Sequence, residues 1–479
     1  MFSSSIAAIV PLLCVTAAGL AAMLAEAFRS PGEKMPLGGL GVIGLAGAAV
    51  SAVLLWGRHA TAFGTVSADG FGLFFVGIFV VIGVMTMLLS PGLAEREGLP
   101  GGEFYALTLF GIAGMMLMAM ATDLLVIFLA LEVMSLAVYV LTGIRRDTQA
   151  SVEGAFKYFI LGGFSSAFFL YGIAFVFGLT RTTRLDRLGS ALADTSGQHP
   201  VFALLALGLL LVGFGFKVSA VPFHMWTPDA YEGAPAIVAG FMSTGVKAAA
   251  FAALVRVMAV AFPALQGTWY PVLWGIAVLT MILGTIVGVA QTNLKRMLAY
   301  SSIAHAGYLL IGVVAASDVG RGAILFYLLV YGVTNLAAFG LIGLLATRDR
   351  ANDDLASMSG LSDRHPALAA AFAVLLLSLG GIPPTAGFVG KWYIFSAAVR
   401  SGDYALAIIG VLTSVVSIFF YLRVIVMMYM AQPGDAPESP RPSVVAILTL
   451  SATILVTFYL GLLPTRVIDL AAQSVGSLF

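Results

Sequence analysis

Cysteine is almost absent from this chain, with Cys14 the only one. That excludes an intrachain disulfide and any cysteine-held zinc or iron–sulfur centre. Charge is scarce too: Asp, Glu, Lys and Arg make up 10% of the 479 residues, and 24 basic against 23 acidic side chains leave no bias that would draw the chain to nucleic acid. The five histidines (His59, His199, His224, His305 and His365) include no pair at the i, i+4 spacing of a helical metal site. A metal could be held only by residues far apart in sequence.

What fills the chain instead is apolar surface. Hydrophobic residues reach 60% and the mean hydropathy is +1.02, well above an ordinary soluble composition. Runs long enough to cross a bilayer, about 20 residues each, fall near 4–26, 36–57, 70–91, 104–121, 123–143, 155–178, 201–230, 233–260, 269–291, 297–316, 320–346, 366–399, 403–430 and 443–465. The expectation is an all-α polytopic membrane protein of about 14 transmembrane helices, with no room for a soluble domain. The stretch Ala25-Glu26-Ala27 resembles a signal-peptide cleavage site, but no Lys or Arg precedes the first apolar run, which spans a full bilayer. It reads as the first transmembrane helix. Loop cations, among them Arg145, Arg146, Lys157, Lys295, Arg296, Arg348, Arg350 and Arg364, fall mostly on one side if the N-terminus is outside. An even helix count then puts the C-terminus outside as well, although Arg181, Arg184 and Arg187 oppose this orientation.

Two runs are interrupted. The seventh carries Pro222 and Pro228 in FKVSAVPFHMWTPDAYEGAP, and the twelfth carries Pro383 and Pro384 in GIPPTAGFVGKW. A proline removes one backbone hydrogen bond and clashes with the preceding turn, and in lipid the freed carbonyls are tolerated only where protein or water satisfies them. The breaks lie five helices apart, an offset that reverses direction across the membrane. Residues 104–262 (helices 4–8) and 263–430 (helices 9–13) then read as two inverted repeats with helices 7 and 12 broken, preceded by helices 1–3 in 1–103 and followed by helix 14 in 431–479. Matching breaks in inverted repeats point to a transport path near the midplane.

Of only six lysines, three (Lys217, Lys247 and Lys391) fall within apolar runs. An ionisable side chain at membrane depth is costly and tends to face a cavity or an ion path; the bland reading is a lysine snorkelling to the interface. Lys247 lies about 20 Å along its helix, too deep to snorkel readily. Lys217 and Lys391 each adjoin a break. Glu132, some 15 Å past Asp123, is the one carboxylate of comparable depth. Beside Lys217 it would favour the ammonium, and because lysine, unlike arginine, can shed its proton when desolvated, a lysine beside a hydratable break is a switchable proton site. His305 and, more weakly, His224 are candidate relays; a satisfied interior histidine is the competing reading for each. Arg256 and Arg423, towards run ends, read as snorkelling anchors, and Asp229 and Glu232 as residues that fix a connection.

The motifs KVSAVPFHMWTPDAYEGAP, NLKRMLAYSSIAHAGY and GGIPPTAGFVGKWYIF, with Glu132, resemble the antiporter-like membrane subunits of the respiratory NADH:quinone oxidoreductase, complex I, across essentially the whole chain. The resemblance implies a fourteen-helix fold with two inverted repeats, and proton transfer through Glu132, Lys217, Lys247 and Lys391, with Glu132 paired to Lys217. It implies no cofactor here, with NADH, flavin (FMN), iron–sulfur clusters and quinone in other subunits. Neighbouring antiporter-like subunits and membrane lipids would be the partners, in the inner (plasma) membrane of a bacterium with both termini periplasmic. Paralogues in the family differ at the position of Lys391 and in whether a long lateral helix follows; this chain has lysine and ends soon after helix 14. A stand-alone Mrp-type sodium/proton antiporter, or a structural subunit without a proton path, are the alternatives.

Overall fold

A computed structural model describes residues 2–29, 36–346, 353–432 and 442–478; Arg348 and Arg350 lie outside the described residues. The chain is helical almost throughout. It opens with α1 (Phe2–Ala27) and α2 (Leu37–Leu55), a hairpin of β1 (Ala60–Ala62) and β2 (Val66–Ala68), then α3 (Gly70–Glu97), α4 (Gly101–Met120), α5 (Leu124–Thr142) and α6 (Gln149–Thr180). A short α7 (Leu185–Thr195) precedes the half-helices α8 (Pro200–Lys217) and α9 (Trp226–Gly233). Next come α10 (Ala236–Phe241), a π-helical turn at Met242–Val246 and α11 (Lys247–Val260), which form one continuous span. The remainder is α12 (Gln266–Val289), α13 (Leu294–Val314), α14 (Asp318–Leu345), α15 (Leu361–Arg364), α16 (Pro366–Gly380), α17 (Ala386–Arg400), α18 (Tyr404–Met430), α19 (Val444–Leu462) and α20 (Thr465–Gly476).

Thirteen of these stretches are long and apolar enough to cross a bilayer. The expected twelfth run is divided between α16 and α17, 15 residues each, so neither half is long enough to cross by itself. The hairpin, α7 and the terminal α20 are additions that hydropathy does not reveal. Helix starts follow local chemistry: Asp69, Asp123, Asn293, Ser317, Asp403 and Ser443 each accept a first-turn N–H, which satisfies a donor the helix leaves open.

The layering is inverted relative to a soluble protein. The most deeply buried spans are Ala236–Val260, Leu294–Val314 and Asp318–Leu345, whereas α1, α2 and α19 leave most of their apolar surface exposed. Lipid covers the outer apolar faces, so polar and ionisable side chains are held inward.

Both breaks satisfy their own backbone. In the first, the Trp226 indole donates to the Phe216 carbonyl at 3.1 Å, and the Val221 N–H donates to Thr280 Oγ1 on α12 at 2.9 Å. In the second, Thr385 Oγ1 donates to the Ile382 carbonyl at 2.7 Å. Gly381 adopts φ +83°, and a Cβ there would stand 2.8 Å from the Lys391 side chain, so glycine supplies both the turn and the room for the lysine. At Gly387 a Cβ would lie 1.8 Å from the Ser378 carbonyl oxygen. Only a glycine lets α17 approach α16 so closely.

One expectation is corrected. Arg256 is no snorkelling anchor: it is 3% exposed and forks onto Asp69, 6% exposed, at 2.7 and 2.9 Å, with a third bond to the Ala119 carbonyl at 3.0 Å. Its guanidinium also lies 4.9 Å from the Phe71 ring centre. Arg423, half-buried, donates to the Val289 carbonyl at 2.9 Å and to that of Gln291, at the end of α12 and in the connection beyond it. Arg256 thus has a fixed, buried partner that spares it the journey to the interface.

Candidate functional site

The three lysines all lie in the interior. Lys217, at the last turn of α8 and 2% exposed, donates to Ser135 Oγ at 2.7 Å and Tyr139 OH at 3.2 Å. The rings of Tyr139, Tyr158 and Phe216 stand 5.1 to 5.5 Å from its ammonium. Its direct partners are therefore neutral hydroxyls and aromatic faces, and no ion pair to Glu132 forms among the described residues. Glu132 lies one turn before Ser135 on α5, half-buried at the edge of the outward face that also carries Leu129, Val133 and Leu136. Its Oε1 is buried without a hydrogen-bond partner. Ser135 and Tyr139, on the same helix as Glu132, hold the lysine directly.

Lys247, 1% exposed, begins α11 directly after the π turn and donates to the backbone carbonyl and Oγ of Ser302 on α13. The Tyr331 ring lies 5.6 Å from its ammonium. His305, one turn beyond Ser302, bonds Tyr327 OH at 2.6 Å through Nδ1 and Tyr421 OH at 3.2 Å through Nε2, and its ring centre is 5.0 Å from that of Tyr331. Lys391, 4% exposed, donates to the Gly380 carbonyl freed by the second break at 2.9 Å and to Ser414 Oγ at 2.8 Å. Tyr308 lies 5.2 Å from the Lys391 ammonium and 5.6 Å from the His305 ring. Lys247, His305 and Lys391 are thereby joined through shared tyrosines.

A second aromatic series runs from Lys217 inward. Tyr158 stacks on Trp226 at 4.0 Å, and Trp226 meets Tyr231 at 6.1 Å. His224 is not drawn into this series: it lies half-buried in the turn between α8 and α9, its Nδ1 unpartnered. Asp229 and Glu232 do fix a connection, as expected. Asp229 binds Lys157 and Arg296, and Glu232 binds Arg296, all at 2.7 Å, which ties α9 to α6 and α13. Nearby, Lys295 donates to the Glu232 and Ala234 carbonyls and Arg145 to that of Gly233.

The sequence did carry a signal for the serines and tyrosines. Ser301, Ser302, His305 and Tyr308 form a stripe at helical spacing on α13, as do Tyr327, Tyr331, Thr334 and Asn335 on α14 and Ser414, Ser417 and Tyr421 on α18. The three stripes face one another. Among the described residues no group of three His, Cys, Asp or Glu side chains stands close enough to hold a metal.

A bundle of apolar helices with two broken spans and a file of buried lysines, hydroxyls and a histidine is the architecture of an antiporter-like membrane protein. Residues 121–417 match the family described as NADH:quinone oxidoreductase/Mrp antiporter, transmembrane, and the chain belongs to that family. Within it, the chain groups with the subunit N proteins. It is 44% identical to NADH-quinone oxidoreductase subunit N of Trichlorobacter lovleyi, covering 98% of this chain and 96% of that one, and 42% identical to the protein of the same name from Chloroflexus aggregans, covering 97% and 96%. Among solved structures, a chain of respiratory complex I from Thermus thermophilus with bound aureothin superposes with a TM-score of 0.82 at 36% identity, covering 96% of this chain and 99% of that one. A chain of the Mrp complex from Dietzia shares the fold, with a TM-score of 0.84 at 22% identity over 100% and 98% of the two chains.

Proposed function

We propose that this chain is a proton-translocating membrane subunit of a bacterial NADH:quinone oxidoreductase, moving protons through Glu132, Lys217, Lys247, His305 and Lys391 while NADH, flavin, iron–sulfur clusters and quinone are handled by other subunits. The observation that carries the reading is the set of three buried lysines held by hydroxyls, carbonyls and aromatic faces instead of carboxylates. A lysine locked in an ion pair has a strong reason to keep its proton; one held by neutral acceptors is freer to give it up.

Each lysine would then act as a donor and acceptor in turn. Lys217, beside the first break and held by Ser135 and Tyr139, would exchange a proton under the influence of Glu132. Lys247 would hold it at the centre, where Ser302 supplies two acceptors. His305 carries two ring nitrogens, one on Tyr327 and one on Tyr421, an arrangement that can accept at one nitrogen and release at the other. Lys391, on the carbonyl freed by the second break, would be the last of the four. The broken helices fall fourth in residues 104–262 and in 263–430, and inverted repeats on those boundaries would give the path its two ends. The chain would be embedded in the bacterial inner membrane with both termini periplasmic, beside neighbouring antiporter-like subunits.

An Mrp-type sodium/proton antiporter subunit is the second reading, favoured by the shared family and fold. Extraction of the native membrane complex separates the two. Co-migration with flavin- and iron–sulfur-containing subunits, and proton uptake into vesicles driven by NADH oxidation, is the expected result. Migration apart from such subunits, with sodium-dependent proton exchange, would overturn it.

A further inference from the structure

Asn335, in the middle of α14, is fully buried. Its Nδ2 donates to Ser243 Oγ at 2.8 Å and to Tyr331 OH at 2.9 Å, so both amide hydrogens are used. The direction of the amide follows from Ser243, whose own hydroxyl donates to the Gly240 carbonyl at 2.8 Å and can only accept from Asn335. Oδ1 is thereby aimed away from both partners, and it is buried with no hydrogen-bond partner. A buried carbonyl oxygen left bare is costly, and ordered water is what fills such acceptors in protein interiors.

The place of this oxygen gives it a role. Ser243 lies in the π turn one helical turn before Lys247, and Tyr331, the other group held by Asn335, presents its ring 5.6 Å from the Lys247 ammonium. Tyr331 and Thr334 also line a small cavity with His305, Tyr327 and Ser378. A second unpaired buried acceptor lies farther along, at the start of the span: Glu97 at the end of α3 accepts the Ala236 N–H at 3.3 Å through Oε1, while its Oε2 has no partner. On the other side of Lys247 the span continues as Ala248–Val255, apolar throughout and buried.

We propose that Asn335 Oδ1 holds a water through which Lys247 exchanges protons with the end of the bundle where Glu97 stands. This rests on the proton-transfer role assigned to Lys247. The water donates one hydrogen to Oδ1 and keeps its other hydrogen and lone pairs for the file. As its O–H bond breaks an N–H bond forms on the neutral Lys247 amine, and the oxygen takes a proton in turn from the next water of a file that would have to cover the roughly 16 Å of helix between Lys247 and Ala236. Asn335 is a positioning residue: it fixes the water and never itself changes protonation.

A cryo-EM map of the wild-type assembled complex, sharp enough to show buried waters elsewhere in the bundle, is the direct test. The expected result is a water about 2.7 to 3.2 Å from Asn335 Oδ1; a bare Oδ1 in such a map overturns the proposal, whatever the variants do. In the assembled complex, Asn335→Leu is expected to lower NADH-driven proton uptake at least about tenfold, while Asn335→Asp, which retains an acceptor and loses the two donors, stays within about threefold of wild type. Equal damage from Leu and Asp would reduce Asn335 to a brace for Ser243 and Tyr331 and overturn the water. Lys247→Ala serves as the control: impaired pumping there with normal pumping in Asn335→Leu rejects the water alone, whereas normal pumping in Lys247→Ala rejects the role of Lys247 itself.

Discussion

Replacing Arg256 by methionine keeps most of the aliphatic stem against Phe71 and removes the guanidinium. Asp69 then remains 6% exposed with a single N–H partner, that of Gly72 at 2.7 Å, and the Ala119 carbonyl loses its donor. Two charge-assisted bonds vanish and a buried charge is left without its counterion, a situation that costs about 3–5 kcal/mol. That is a shift of about two to three and a half powers of ten in the folding equilibrium, readable by titrating the detergent-solubilised chain with a denaturing detergent. The double variant Arg256→Met with Asp69→Asn removes the stranded charge and keeps an oxygen for the start of α3. It is expected to recover at least about half of the loss, the two sites being directly coupled. A loss below about 1 kcal/mol in the single variant, the range of exposed pairs, would refute the buried clamp and return Arg256 to the interface.

Three further outcomes follow from the same contacts. Gly387→Ala places a methyl 1.8 Å from the Ser378 carbonyl oxygen, a contact only backbone movement can relieve, so folded yield measured by size-exclusion chromatography should collapse, whereas Gly402→Ala, with open space at its Cβ, should cost only what its φ of +83° imposes. Ser302→Ala removes one of the two oxygens on Lys247 and leaves the carbonyl; assembly should persist while NADH-driven proton uptake falls by about fivefold to a hundredfold, the equivalent of about 1–3 kcal/mol of lost solvation of the ammonium. Burial raises the Glu97 carboxyl above its ordinary range, against the opposing pull of Arg145 and Lys295. The folded chain thus holds this proton more tightly than the unfolded one, and the stabilisation is full below the ordinary carboxylate range and fades as pH climbs through the raised value. Melting curves of wild type should fall between acidic and neutral buffer by an increment that Glu97→Gln lacks.

Much of this architecture is legible in the amino-acid order because lipid enforces simple rules. Apolar runs of bilayer length locate the spans, and prolines mark the two breaks, since a missing N–H at membrane depth must be compensated locally. The depth of Lys217, Lys247 and Lys391 follows from counting residues along a helix. What counting along the chain does not reveal is partnership across it. Asp69 and Arg256 meet over a separation of 187 residues, and a single-helix reading of Arg256 sees only a cation near a helix end. The π turn at Met242–Val246 has no proline or charge to announce it, and it sets the register in which Ser243 and Lys247 are displayed. Glu132 and Lys217 were expected as a pair; Ser135 and Tyr139, on the same helix as Glu132, take the lysine's hydrogen bonds instead. The serine and tyrosine stripes on α13, α14 and α18 were visible as periodicity, but their convergence depends on how the three helices pack.

Proton uptake by the assembled, membrane-reconstituted complex carrying Lys247→Ala is the most direct measurement of the central claim, taken alongside NADH oxidation and the subunit content of the same preparation. If Lys247 carries protons, the complex assembles with its full complement of subunits and translocates fewer protons for each NADH oxidised or turns over more slowly when coupled. Full assembly with wild-type proton uptake and turnover would contradict proton transfer through Lys247.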